Sequence, residues 1–317
     1  MKEVVAGIDI GGTNIVFGLV DRDGEILADG VLTTSDYPEF PEYVAAQVKG
    51  IKDLLAINSG LKLISIGIGA PNANYYKGTI ELAPNLSWKG IIPLGAAISE
   101  LSRVPVTVTN DANAAAVGEM IFGGAKNMKD FIVLTLGTGL GSGIVVNRQI
   151  VYGYTGFAGE IGHLTVVPGG RICGCGKQGH LETYASATGL VRTVSELLGT
   201  MRNDTPLRDI APAKLSSKMV ANYAQQNDPV ALRAIEYTAE LLGLGIINSI
   251  AFSSPEAIFL FGGLAQAGEM LLEPVRHYVD KNIMPIFRGT CKIIPSAIPE
   301  NTAAVLGAAA LAWNERS

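Results

Sequence analysis

His163, Cys173, Cys175 and His180 put two imidazoles and two thiols into one short stretch, FAGEIGHLTVVPGGRICGCGKQGHLE, which runs from Phe157 to Glu182. That donor set suits a tetrahedral zinc ion. Gly169, Gly170, Gly174, Gly176 and Gly179 let the backbone turn back on itself, so that ligands close in sequence can converge. Metal binding would then be coupled to ordering of the loop. The competing explanation is a pair of ordinary buried thiols beside a hydrogen-bonded histidine. A lone C-x-C would not decide between them, whereas C-x-C flanked by two histidines favours the metal. Glu160 and Glu182 bracket the loop without being needed for the ion. With the zinc in a structural role, they read as carboxylates facing a ligand rich in hydroxyl groups; the alternative is two solvated surface glutamates.

A second chemistry is written in glycine turns that follow apolar runs. Val4 to Ile10 reads as a strand that runs into Gly11, Gly12, Thr13 and Asn14; Ile15 to Val20 is a second strand, and the turn Asp21-Arg22-Asp23-Gly24 leads into Glu25 to Val31. Amides of consecutive glycines between strands can form a nest for phosphate oxygens, with the Thr13 hydroxyl as a further donor, although a tight hairpin turn explains GGTN equally well. The pattern recurs, which weakens the bland explanation. Ile8-Asp9-Ile10-Gly11-Gly12-Thr13 overlays Leu134-Thr135-Leu136-Gly137-Thr138-Gly139, the mark of an internal duplication. Two such turns, one per domain, would clamp a polyphosphate chain. Asp9 is replaced by Thr135 in the second copy. An aspartate beside a phosphate cradle would repel its ligand unless a cation lay between them, so Asp9 points to Mg2+ held partly through water; capping of the turn is the other reading. A third glycine pair, Gly262-Gly263, ends the strand Ala257 to Phe261 and could sit against a nucleotide base or ribose.

The elements that must position these groups alternate between strand and helix. Glu42 to Leu55 has helical spacing at Val44, Val48, Ile51, Leu54 and Leu55, and Leu63 to Ile68 is a buried-strand run. Two loops follow, with Asn72 and Asn85, whose amides could read sugar hydroxyls; turn formation is the commoner reason for asparagine there. Val104 to Val108 ends in Thr109-Asn110-Asp111-Ala112-Asn113 and a helix over Ala114 to Met120. Helix capping alone explains Asn or Asp in that place. A carboxylate at a strand's carboxyl end and a helix start also lies where open α/β sheets hold ligands, and the helix dipole would keep Asp111 ionised as a general base. Further helices are expected over Thr183 to Leu198, Pro229 to Ile250 (with Leu232 on or near its apolar side), Met270 to Val279 and Ala303 to Trp313.

With 317 residues the chain exceeds what one core usually fills. The repeat divides it into an N-terminal α/β domain, 1–118, to which a terminal helix at 302–317 returns, and a larger domain, 119–301, with the boundary near Glu119 to Lys129. Charged residues make up 17% and hydrophobic ones 48%, which points to extensive burial and an oligomer. The net charge of -5 argues against a nucleic-acid partner. Cys291 is the one cysteine outside the loop, so no disulfide framework exists and a reducing cytoplasmic setting is expected. The start MKEVVAGIDIGG lacks a signal-peptide pattern, and the apolar region Leu241 to Ala265 is interrupted by Asn248, Ser253, Ser254, Pro255 and Glu256, so no membrane partner is expected.

Taken together, D-I-G-G-T-N at Asp9 to Asn14, N-D-A-N at Asn110 to Asn113, L-G-T-G-x-G at Leu136 to Gly141, G-E-I-G-H at Gly159 to His163, C-G-C-G-x-x-G-x-x-E at Cys173 to Glu182 and F-G-G at Phe261 to Gly263 resemble the ROK group of sugar kinases and sugar-responsive repressors, within the actin-like ATPase superfamily. The resemblance covers nearly the whole chain. It implies a two-lobed α/β fold of the actin-like ATPase (ribonuclease H-like) kind, with duplicated sheet domains and a zinc-binding loop. It also implies Asp111 as catalytic base, Asn110, Glu160, His163 and Glu182 on the sugar, and the turns at Gly11 and Gly137 on the ATP phosphates. Zinc would be held by His163, Cys173 and Cys175, with His180 where the family ordinarily has a cysteine. Asn72 stands where the family often has glycine. The implied activity is ATP-dependent phosphorylation of the 6-hydroxyl of glucose with Mg2+, by a homodimer or homotetramer. Mannose, fructose, allose or N-acetylmannosamine are alternative substrates, and a sugar-sensing regulator is the alternative class. Regulators of the group carry a helix-turn-helix domain ahead of this body, for which a first strand at Val4 leaves no room.

Overall fold

Lys2–Ile10 (β1) does not alternate. After its first residues Val4 to Ile8 are all buried, the pattern of a strand covered on both faces. β2 (Asn14–Val20) pairs antiparallel to it, and β3 (Ile26–Thr33) pairs antiparallel to β2. The turn between them is held by Asp21, whose Oδ1 accepts the amides of Asp23 and Glu25. α1 (Phe40–Ile57) buries Tyr43, Val44, Gln47, Val48 and Ile51, one stripe at helical spacing. β4 (Leu61–Gly69) runs parallel to β1. A small sheet of β5 (Ala73–Asn74), β6 (Thr79–Glu81) and β7 (Ile91–Ile92) comes next, followed by α2 (Leu94–Ser102), β8 (Val106–Thr109) and α3 (Asp111–Ile121). The main sheet has the order β3-β2-β1-β4-β8.

This computed structural model describes residues 1–316, which divide into two units. The first contains Met1–Met128, Gly143–Gly159 and the chain from Ala297 on; the second contains Lys129–Ser142 and Glu160–Ser296. The chain thus leaves the first unit at Met128, inside the stretch Glu119 to Lys129, and the segment Gly143–Gly159 returns to it. A repeat in sequence marks where a pattern restarts, whereas the units follow where segments pack.

The second sheet is built from β9 (Phe131–Leu136), β10 (Leu140–Val146) and β11 (Gln149–Ile150), then α4 (Ala187–Thr200), α5 (Ser217–Gln225), α6 (Pro229–Ser253), β12 (Ala257–Phe261), α7 (Glu269–Asn282) and β13 (Lys292–Pro295). Its order, β11-β10-β9-β12-β13, repeats that of the first sheet, with β12 parallel to both β9 and β13 as β4 is to β1 and β8. The helix expected from Thr183 starts later because the Ser186 hydroxyl accepts the Gly189 amide and caps α4. Leu232 in α6 is 37% exposed rather than on the apolar side.

α8 (Glu300–Asn314) belongs to the first unit and lies against β1, β4 and α3. Ala308 to Ala312 are wholly buried. Side chains this small let the backbone come down directly on the sheet: a Cβ at Gly7 would run into the Val305 carbonyl and one at Gly67 into that of Ala308. Ser317, included in the expected terminal helix, lies outside the described residues.

Candidate active site and metal centre

Strand register brings the first pair of acidic residues together. Asp9 on β1 stands opposite Gly69 on β4, and Gly69 stands opposite Thr109 on β8. Three parallel strands therefore end side by side, and Asp111 opens α3 just beyond the third. A Cβ at Gly69 would lie 3.3 Å from Asp9 Oδ1 and 3.6 Å from Asp111 Cα, so the glycine is the spacer between the two acids. Burial, and then the charge of Asp111, pushes the Asp9 carboxyl up to about 7. Burial also raises Asp111, against the opposing hydrogen bonds of the Ala112 amide and its own. Asp111 nevertheless keeps an accessible surface, and its Oδ1 accepts the Ala112 amide at 2.9 Å. Asn110 caps α3: its Oδ1 accepts the Asn113 amide at 2.7 Å, which leaves the side-chain NH2 uncommitted to the cap.

The turn after β1 is fixed from outside. Thr34 donates its hydroxyl to the Gly11 carbonyl at 2.8 Å and its amide to the Thr13 carbonyl at 2.9 Å, while the Gly11 amide donates to the Asn14 carbonyl. Gly12, Thr13 and Asn14 are exposed. Asn85 backs the turn, since a Cβ at Gly12 would lie 3.1 Å from the Asn85 carbonyl oxygen. Its loop is anchored by Trp88, stacked on Tyr43 at 4.5 Å and donating to the Tyr37 carbonyl. Asn72 has another task. At φ 51° it holds a left-handed turn, and its amide donates to the Glu81 and Leu82 carbonyls at 3.2 and 3.3 Å.

In the second unit the Gly137–Gly139 turn is held from three sides. The Ala187 amide donates to the Gly137 carbonyl at 2.8 Å and the Thr188 hydroxyl to that of Thr138 at 2.6 Å. Glu182 accepts the Leu140 amide at 3.1 Å and lies so close to Gly139 that a Cβ there would strike its carboxylate. The Leu264 amide donates to the Leu136 carbonyl at 3.0 Å, which seats the Gly262-Gly263 turn beside the end of β9; Gly262 has φ +97°.

His163, Cys173, Cys175 and His180 converge. Their ligand atoms all lie within 4.8 Å of one another, and the set stands alone of its kind among the described residues. The two Nδ1 atoms are 3.2 Å apart, Cys175 Sγ is 3.3 Å from His180 Nδ1 and Cys173 Sγ is 3.7 Å from His163 Nδ1. A tetrahedral zinc with Zn–N near 2.05 Å and Zn–S near 2.3 Å requires edges of about 3.3–3.8 Å. The donor set suits that ion in chemistry, and these three of its six edges lie close to that spacing, the others staying within 4.8 Å. Within the loop the Gly176 amide donates to the Cys173 carbonyl and the Cys173 amide to that of Lys177, with Gly176 at φ +83°. Burial above all pushes the Cys173 thiol up to about 11, an environment that favours thiolate only with a cation at hand. Glu182 Oε1 is 3.5 Å from Cys173 Sγ, and His163 turns its Nε2 toward Glu160 at 3.8 Å.

The expected residues therefore gather in two groups. Asp9, the Gly11–Asn14 turn, Asn85, Asn110 and Asp111 gather in the first unit; Gly137 to Gly139, Glu160, the four metal-type donors, Glu182 and Gly262-Gly263 gather in the second. Sequence reasoning overlooked Thr34, Ser142, whose hydroxyl accepts the Ile161 amide and seats the Glu160–His163 segment, and Arg171. Arg171 carried a visible signal, as a cation set between a glycine pair and an isoleucine.

A repeated sheet of this order, each copy opening a glycine turn after its central strand, defines the actin-like ATPase fold. The sequence model of the ROK family matches residues 5–315, and the chain belongs to that family. It is 36% identical over 317 residues to a glucokinase of Streptomyces coelicolor, covering 96% of each chain. It is 30% identical over 300 residues to the xylose repressor of Bacillus subtilis, covering 94% of this chain and 74% of the repressor. Among solved structures it matches a ROK family glucokinase from Streptomyces griseus in complex with glucose and AMPPNP, with a TM-score of 0.79, 34% identity and coverage of 98% and 99%.

Proposed function

We propose that this protein is an ATP-dependent hexose kinase that transfers the γ-phosphoryl group of ATP to the 6-hydroxyl of glucose. The observation that carries the reading is the pairing of Asp9 with Asp111 across Gly69 at the ends of parallel strands, in a chain akin to glucokinases over nearly its full length. Asp111 accepts the proton of the primary hydroxyl as that oxygen attacks phosphorus; its carboxyl, raised by burial, is a better proton acceptor than an ordinary aspartate. For sugar hydroxyls the first unit offers the side-chain NH2 of Asn110 and Asn85, with Asn72 shaping its own loop, and the second unit offers Glu160, Glu182 and His163 Nε2. The turn from Gly11 to Asn14, through the amides of Gly12, Thr13 and Asn14, and the amides of Gly137, Thr138 and Gly139 receive phosphate oxygens, and Gly262-Gly263 adjoins the nucleoside. Phosphoryl transfer of this kind depends chiefly on positioning and charge stabilisation.

Asp9 would hold Mg2+ through water, and the bound ion supplies neutralisation of phosphate charge. His163, Cys173, Cys175 and His180 would hold zinc, which supplies cross-linking of the loop. With Nδ1 toward the metal, His163 keeps Nε2 on the side of Glu160 and the sugar. The same reading places the protein in the cytoplasm as a homodimer or homotetramer, consistent with exposed Phe252, Met284 and Ile286 in the second unit.

The test is ADP release with MgATP over a panel of glucose, mannose, fructose, allose and N-acetylmannosamine, for wild type and Asp111→Asn. Turnover on glucose that the variant loses bears out the reading; turnover best on another sugar moves the substrate. Similarity to a xylose repressor favours a second reading, a sugar-responsive regulator. Sequence-specific operator binding without turnover would put it first.

A further inference from the structure

Arg171 is an arginine inside the metal loop with 6% of its surface exposed and all five of its guanidinium N–H donors in use. Nε and NH2 grip the Glu196 carboxylate, and NH2 also donates to the Thr193 hydroxyl at 2.9 Å. NH1 donates to the carbonyls of Thr183, at 2.7 Å, and Gly189, at 3.2 Å. The guanidinium lies 4.4 Å over the Tyr184 ring, and the Arg171 amide donates to the Tyr184 hydroxyl at 2.9 Å. The Arg171 carbonyl accepts the Gly179 amide at 2.8 Å. One residue thus fastens both strands of the metal loop, two residues before Cys173 and one before His180, to the chain beside Glu182 and to the first turns of α4.

The first two residues of α4 hold the second glycine turn. Ala187 and Thr188 donate to the Gly137 and Thr138 carbonyls, which orients the peptide units of that turn. Glu182 makes a second link, from beside Cys173 to the Leu140 amide. Each link is short and polar, and those of the Arg171 guanidinium are largely buried; such links transmit position well because their geometry is narrow.

We propose that Arg171 is the positioning residue through which the metal loop sets the Gly137–Thr138 turn, so that the state of the metal loop is felt as nucleotide affinity. The proposal rests on reading that turn as a phosphate cradle and the four-donor cluster as a zinc site. It gives the metal a role toward the nucleotide in addition to its contact with the sugar side through His163.

The test titrates zinc-loaded protein calorimetrically with MgADP and, separately, with glucose, and measures zinc content and the rate of zinc release to a chelator. Arg171→Met should weaken MgADP at least tenfold, change glucose affinity no more than threefold and release zinc at least tenfold faster; Arg171→Lys should recover part of each loss. Thr188→Val deletes only the bond from α4 to the turn, on an exposed side chain. It should weaken MgADP by roughly three- to tenfold and leave zinc release unchanged, which keeps the test decisive should Arg171→Met fail to fold. MgADP affinity within threefold of wild type in both Thr188→Val and Arg171→Lys overturns the proposal, as does equal loss of glucose and MgADP affinity. Wild type that binds glucose but no MgADP overturns the cradle reading instead.

Discussion

Replacing Asp9 by Asn should stabilise the ligand-free protein, and by more at higher pH. Folding raises this carboxyl from 3.8 to about 7. Between those values the folded protein keeps a proton that the unfolded chain has released. Stability therefore falls as pH rises from about 4 to about 7 and the cost stays constant above that. A shift of about 3 units corresponds to at most about 4 kcal/mol at about 1.4 kcal/mol per unit. Asp9 is partly accessible, so solvent relaxation brings the working figure to roughly 1–3 kcal/mol. For a chain of 317 residues melting as one unit, that corresponds to roughly 2–5 °C in melting temperature. Thermal melts of wild type and Asp9→Asn without ligand should nearly coincide at pH 4.5 and separate at pH 8. MgADP should close the gap, since the cation offsets the charge in wild type and has no carboxylate to meet in the variant. A variant that melts no higher than wild type at pH 8, or by the same margin at both pH values, refutes burial as the cause of the raised carboxyl.

Asp111→Asn should lower turnover by roughly 10²–10⁴-fold with glucose affinity little changed, as calorimetry beside the kinase assay will show. Metal analysis of untagged protein should find zinc, lost in His180→Ala and kept in His180→Cys, since either donor completes a tetrahedral set. In Gly139→Ala the new methyl meets the Glu182 carboxylate, so KM for ATP should rise about tenfold or more in steady-state kinetics. Gly67→Ala sets a methyl against the Ala308 carbonyl and should cost about 1–3 kcal/mol in denaturant unfolding.

The chemistry was legible in the sequence wherever it depended on residue type. Two imidazoles and two thiols between glycines announced their convergence, and the doubled strand-and-glycine pattern announced the doubled sheet. What depended on register was hidden. Nothing local says that Gly69 stands between Asp9 and Asp111, because that follows from the parallel pairing of β1, β4 and β8. The start of α4 was read too early because a 3-10 turn, Leu181–Thr183, continues the helical pattern up to the Ser186 cap. Asn72 shows the opposite case, in which the ordinary turn role of asparagine was visible and the fold uses its amide for that purpose. Gly7 and Gly67 gave no hint of α8, whose approach is a contact between segments at opposite ends of the described chain.

That last contact sets the order in which the protein can be born. β1 and β4 leave the ribosome early, but α8, which covers one face of them, is translated only after the whole second unit. At typical synthesis rates an apolar sheet face is left bare for roughly 15–60 s. The second unit, whose last residue is Ser296, has all its segments in hand before α8 appears. The half of the molecule that begins first is therefore the half that finishes last, and it is there that a chaperone would find its work.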